Sequence, residues 1–231
     1  MQNITIPTPT GQQITGHLRP VAGSTRLLVL CHGFRSSHEQ PALQAIAKGL
    51  HAKGHAVLTF NFSDSSGFYI NHQVRDIQTL VAHFAEYSEI VLLAGSLGAL
   101  NASIAVLEEP RLTGLVTVNG FFGSGMLRGK MRAVFYFFRS LTAFRPSYRE
   151  SWHYFKSRFA PERIAVPVLV IHSRVDETVM FAQSQQFYAA LTSPKEFVEL
   201  HNTNHDLTNG QEIGVIITSI DTWLASSFSK K

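Results

Sequence analysis

Three residues, far apart in the chain, have the types and local settings for attack on an acyl carbon. Ser96 is the apex of a strand–corner–helix pattern. The apolar run Val91-Leu92-Leu93-Ala94 leads into Gly95-Ser96-Leu97-Gly98, and an apolar helix leaves through Leu100-Asn101-Ala102-Ser103-Ile104-Ala105. A corner this tight needs small residues two places before and after the serine, and Ala94 and Gly98 supply them in an A-x-S-x-G form. Such a turn lifts the hydroxyl clear of the sheet at a helix N-terminus, where developing negative charge is favoured.

A serine nucleophile needs a general base and a group that orients it. Asp176 lies in the loop after an apolar strand pattern that ends at His172, within His172-Ser173-Arg174-Val175-Asp176. After the last strand pattern comes His201-Asn202-Thr203-Asn204-His205-Asp206. His205 is the expected base, far enough into the loop to swing back over the sheet. His201 abuts the strand, and the competing acids are Glu177 and Asp206, the latter beside the base in sequence. The order Ser, Asp, His is one that this chemistry uses. For the oxyanion, Leu97 offers the backbone N–H after the serine. Phe34, after His32-Gly33 at an earlier strand end, offers a second. His32 is expected to be structural, bonding within its loop.

The elements that must position these groups alternate along the chain. Ile4-Thr5-Ile6 and Gln13 to Leu18, separated by Thr8-Pro9-Thr10-Gly11, read as an antiparallel hairpin. Continuous apolar runs at Arg26 to Cys31, Ala56 to Phe60, Leu112 to Val118 and Val168 to His172 read as strands buried on both faces, and Glu196 to Leu200 as the last strand. Helices are expected at Pro41 to Lys53, Asn71 to Tyr87, from the elbow to Glu108, Met180 to Leu191, and Ile213 to Phe228. Strands alternating with helices imply a mostly parallel sheet with helices on both faces and reactive groups at the C-terminal strand ends. Residues 121–161 interrupt the alternation with aromatics from Phe121 to Phe159 and basic residues from Arg128 to Arg158. They read as a short helical cap. Packing of the cap onto the body is the expected role of most of its aromatics, with walling of an apolar acyl pocket the alternative, and Gly120, Gly123 and Gly125 are candidate hinges or turn residues.

Composition sets the frame. The 231 residues, 45% hydrophobic and 16% charged, fit one domain with a large core. The single cysteine, Cys31, rules out an internal disulfide and a cysteine-based metal cluster. The formal charge of +4 comes without a recognition motif, so no nucleic-acid partner is expected. No apolar run has the length to span a bilayer, and the segment Met1 to Pro7 lacks the pattern of a secretory signal. A cytoplasmic location is the expectation.

Together, His32-Gly33-Phe34, the Ser96 elbow, Asp176 in His-Ser-x-x-Asp-x-x-Val, and His205 resemble the α/β-hydrolase superfamily over almost the whole chain. His32-Gly33-Phe34-Arg35-Ser36-Ser37 followed by Phe60-Asn61-Phe62-Ser63 is similar to the branch of feruloyl-type and other small carboxylesterases, serine aminopeptidase-like hydrolases and monoacylglycerol lipase-like enzymes. That branch usually has Asp where Asn61 stands, a more glycine-rich loop than Asp64-Ser65-Ser66-Gly67, and Gly in place of Ala94. The resemblance implies an α/β-hydrolase fold and a serine carboxylesterase with a Ser96-His205-Asp176 triad. It implies a small-molecule ester substrate with an apolar or aromatic acyl group, and no metal or organic cofactor. The alternatives are a lipase, thioesterase or peptidase on the same triad, or a catalytically silent binding protein.

Overall fold

The computed structural model describes residues 1–64, 67–123 and 129–228. Ser65 and Ser66 of the loop, the candidate hinge Gly125 and the basic Arg128 lie outside the described residues.

The chain runs β1 (Gln2–Pro7), β2 (Gln13–Arg19), β3 (Arg26–Cys31), α1 (Pro41–Ala52), β4 (Ala56–Asn61), α2 (Ile70–His83), β5 (Glu89–Gly95) and α3 (Leu97–Glu108). It continues with β6 (Leu112–Val118), α4 (Gly129–Ser140), α5 (Pro146–Arg158), β7 (Val168–Ser173), α6 (Phe181–Ala190), β8 (Lys195–Leu200) and α7 (Gly210–Ser227). Among the described residues these strands form one 8-stranded sheet in the order β1-β2-β4-β3-β5-β6-β7-β8. β1 and β2 form the antiparallel hairpin, and β2 pairs antiparallel with β4. Every later pair is parallel, so β3, β5, β6, β7 and β8 all end on the same edge.

The continuous apolar runs are explained by helices on both faces. On β5, Leu92 and Ala94 point to a layer containing α2 and α3, while Val91 and Leu93 point to the layer containing α1 and α7. Trp223 of α7 and Ile46 and Leu50 of α1 fill that second layer. With both faces covered, polar alternation disappears from the central strands. Cys31 is buried between β3 and its neighbours, and burial pushes its thiol well above the ordinary range. No described helix is long and apolar enough to cross a membrane.

Two helix boundaries differ from the sequence reading by more than two residues. α2 ends at His83 rather than Tyr87. Phe84 and Tyr87 continue the apolar spacing, but from a turn closed by the Tyr87 N–H on the Phe84 carbonyl (3.2 Å), and both are buried. α7 starts three residues earlier than Ile213, because the Asn209 side chain accepts the Gln211 N–H (3.0 Å) and caps it.

One buried acid ties α2 to the loop after β4. Asp76 accepts the Ser63 N–H (2.8 Å) and the Ser63 hydroxyl (3.0 Å). Burial, reinforced by nearby Asp64, outweighs those hydrogen bonds and pushes its carboxyl from 3.8 up to about 6. A raised carboxyl pKa means that the folded chain holds a proton the unfolded chain has released, so stability falls as pH climbs through this window. Asp76→Asn preserves both contacts, its oxygen accepting the Ser63 N–H and its amide donating to Oγ. It is expected to add about 2 kcal/mol of stability at about pH 8 and almost none at about pH 4. Denaturant unfolding at the two pH values measures this, and an equal gap at both would show that the charge is not the cause.

Candidate active site

The sharp turn from β5 into α3 puts Ser96 in the left-handed region, at φ 50° and ψ −124°. This backbone is strained for any residue with a Cβ, and it is held there by its surroundings. The Ser96 N–H donates to the Val118 carbonyl (3.2 Å), and its carbonyl accepts from Ala99 (3.1 Å) and Phe121 (3.0 Å). Gly98 is required for a reason the sequence did not reveal. A Cβ there would stand 2.6 Å from the carbonyl oxygens of both Cys31 and His32, so the crowding comes from the end of β3. Gly33 is the reciprocal case, since a Cβ on it would come within 2.9 Å of Ser96 Cβ. Two bare glycines thus let the loop after β3 lie directly against the elbow, with Phe34 next along that loop.

The loops after β7 and β8 bring the other two residues to Ser96. His205 Nε2 lies 3.1 Å from Ser96 Oγ, and its Nδ1 lies 2.7 Å from Asp176 Oδ2. An ionised carboxylate only accepts, so Nδ1 carries the proton and Nε2 is left to accept the serine hydroxyl. Asp176 Oδ1 in turn accepts the Thr178 and Val179 N–H groups, both at 2.8 Å. Burial alone would raise the Asp176 carboxyl. The hydrogen bonds from His172, His205 and Val179 and the charge of His205 outweigh it and hold the carboxyl well below the usual carboxylate range.

The competitors take other positions. His201 is exposed, and its backbone N–H is held by Glu212 (3.0 Å). Glu177 accepts the His205 backbone N–H (3.2 Å), so it steadies the loop and leaves the ring to Asp176. Asp206 is exposed, and its carbonyl accepts from Gln40 Nε2 (3.3 Å). His32 is buried. Its Nδ1 donates to the Gly33 carbonyl (2.8 Å), and its Nε2 accepts the Phe62 N–H (3.3 Å). Burial pushes its pKa down to about 4, so the neutral ring pins the loop that carries Phe34.

Two participating residues carry no clear sequence signal. Asn119, at φ 46°, donates from Nδ2 to the His205 carbonyl (3.2 Å) and accepts the Ser173 N–H on Oδ1 (2.9 Å). It therefore joins the loop of the acid to the loop of the histidine; the Asn-Gly pair after β6 was its only trace. His172, fully buried, sits behind Asp176 with Nε2 3.4 Å from Oδ2 and 3.2 Å from the Val179 carbonyl, while Nδ1 meets Ser184 Oγ (2.6 Å).

A cavity of about 350 Å³ opens at Ser96 and His205. Of the described aromatics of 121–161, Phe121 is the one that lines it, alongside Phe34 and Phe68, and packing is the role of the others. Phe122 stacks on Phe187 at 3.9 Å, and Trp152 contacts both Phe135 and Phe155. Burial against α2 and α3 is the stronger demand on large rings. Among the described residues, the ligating atoms of His17, His38 and Glu39 lie within 4.8 Å of one another and are suited to hold a metal ion. None of the three lines the cavity.

A mostly parallel eight-stranded sheet covered by helices on both faces, with a strained serine at the β5–α3 turn, makes the chain an α/β-hydrolase by fold. It is similar over 99% of both chains to the α/β-hydrolase GrgF from Penicillium sp. sh18 (TM-score 0.80, 14% identity). It is similar over the whole of both chains to Est1E from Butyrivibrio proteoclasticus (TM-score 0.77, 14% identity), which has also been solved with ferulic acid bound. A dienelactone hydrolase from Anabaena variabilis matches over 98% of each chain (TM-score 0.71, 16% identity). No curated protein matches the chain in sequence. The prolyl oligopeptidase family matches residues 70–231, and the chain belongs to that family.

Proposed function

We propose that this chain is a serine hydrolase that cleaves carboxylic esters of small molecules through an acyl-enzyme, with Ser96, His205 and Asp176 as its triad. The observation that carries this reading is the unbroken hydrogen-bonded line from Asp176 through His205 to Ser96. In the first step His205 Nε2 takes the Ser96 proton as Oγ bonds to the acyl carbon, and Asp176 stabilises the imidazolium. The N–H groups of Phe34 and Leu97 hold the oxyanion. As the tetrahedral adduct collapses, the C–O bond to the alcohol breaks and His205 returns the proton to the leaving oxygen. Water then repeats the cycle and releases the acid. Residues 121–161 act as a cap over the mouth, in one domain with the rest of the chain.

Family membership favours one further reading, a peptidase using the same triad on an amide bond. A panel of p-nitrophenyl esters, thioesters and aminoacyl p-nitroanilides separates the two. Labelling with a fluorophosphonate probe tests the shared premise. Covalent modification that maps to Ser96 is the expected result, and a folded protein that resists labelling would overturn the catalytic reading in favour of a silent binding protein.

A further inference from the structure

A second cluster of chemistry-bearing side chains lies outside the cavity, at β2 and the loop after β3. Along β2, Ile14 and Leu18 are buried in the layer that holds α2 and α3. Thr15, His17 and Arg19 therefore share the opposite face of the strand, toward α1. There Arg19 donates to Gln44 Oε1 of α1 (2.7 Å), and the Gln44 amide donates to the His38 carbonyl. The His38 N–H donates to Asn61 Oδ1 at the end of β4 (2.8 Å). Both main-chain groups of His38 are thus held. Its buried ring stands edge-on to His17, with centroids 4.6 Å apart and planes at 76°. Glu39, next in the chain, brings one carboxylate oxygen to both rings. Its Oε1 lies 3.4 Å from His38 Nε2 and 3.7 Å from His17 Nδ1.

Ligand atoms about 2 Å from one tetrahedral metal stand about 3.3 Å apart. Both separations from Oε1 are near that value, and all three ligating atoms lie within 4.8 Å of one another. The Glu39 side chain is 63% exposed and His17 is half-buried, so both have room to close the remainder. Burial lowers the His38 pKa, and the charges of His17 and Arg19 add to this against that of Glu39, so the ring is neutral and offers a lone pair. We propose that His17 Nδ1, His38 Nε2 and Glu39 Oε1 form a zinc site that fastens the loop after β3 to β2. The donors select the metal. Imidazole suits zinc and its first-row neighbours, whereas calcium and magnesium take oxygen ligands. Arg19 sharpens the choice, because its cation beside the site offsets the charge of Glu39, and an ion held chiefly by charge gains little there. Three protein ligands leave a fourth position to water on the exposed side. None of the three lines the cavity, so the site does not depend on the esterase reading. The loop it braces runs from His32 through Phe34 to Gln40.

The experiment is calorimetric titration of zinc chloride into untagged, chelator-stripped wild type, His17→Ala and Glu39→Gln, with thermal unfolding of each at several zinc concentrations. Wild type is expected to bind one equivalent saturably below about 0.1 mM zinc, and its unfolding midpoint should rise as zinc is added. Each substitution removes one ligand and should weaken binding at least about tenfold, with the midpoint rise lost in parallel. Glu39→Gln alters an exposed side chain, so it decides the matter even where His17→Ala folds poorly. Zinc can also meet other histidines, His205 among them, and the variants separate that case. A smaller loss of affinity in a folded variant would put the zinc elsewhere and overturn the site. Absence of saturable binding to wild type would overturn it outright, with the esterase reading untouched.

Discussion

Ser96→Ala is expected to lower kcat/KM for ester hydrolysis by about 10⁵-fold, toward the residual rate that binding and oxyanion N–H groups supply alone. The Ser96 hydroxyl meets His205 Nε2, so the substitution deletes the proposed attacking atom and leaves the rest of the line in place. Stability should separate from activity. Alanine inherits the same φ of 50° and ψ of −124°, and with it the strain imposed by the Val118, Ala99 and Phe121 hydrogen bonds. Glycine adopts this backbone readily, as the near mirror image of an extended conformation. Ser96→Gly should therefore be as inactive as Ser96→Ala but more stable by about 1 kcal/mol. Kinetics with an activated ester and thermal unfolding of both variants measure the two effects. Retention of wild-type activity in either would remove Ser96 as nucleophile. Equal stability of the two would show that the elbow is not under strain.

What the sequence could disclose here was whatever is local. The strands were legible because a run such as Leu27 to Cys31 must be apolar on both sides when α1 and α7 cover one face and α2 and α3 the other. Ser96, Asp176 and His205 were legible as residue types placed just beyond strand ends, and the structure brings them within hydrogen-bond reach. Long-range facts were not legible. Nothing in the pattern separates His172, ending an apolar run, from any other strand-terminal residue; its place behind Asp176 depends on how the loop after β7 folds back. The aromatic cluster of 121–161 reads as packing for most of its residues, but which ring instead faces the cavity depends on partners such as Phe187, distant in sequence.

Asp176→Asn is expected to lower kcat by about 10⁴-fold with little change in the position of any main-chain atom. The reason lies in the four donors that surround the carboxylate. Oδ1 accepts the Thr178 and Val179 N–H groups, and Oδ2 faces His205 Nδ1 and His172 Nε2. An asparagine must point its oxygen at the two backbone donors, because the opposite flip would set its NH₂ against both of them. Its amide therefore occupies the Oδ2 position and donates to His205 Nδ1. The histidine proton moves to Nε2, which then faces Ser96 Oγ as a donor and can no longer accept the serine proton. Because His172 also brings an Nε2–H to this point, donated as well to the Val179 carbonyl, the amide meets a second donor there. Asp176→Asn should thus lose stability as well as rate, whereas Ser96→Ala loses mainly rate. Single-turnover kinetics with an activated ester separates acylation from deacylation, and both steps should slow, since His205 serves each. An effect confined to deacylation would mean that Asp176 does not set the tautomer used in attack, and the orienting role would pass to another group.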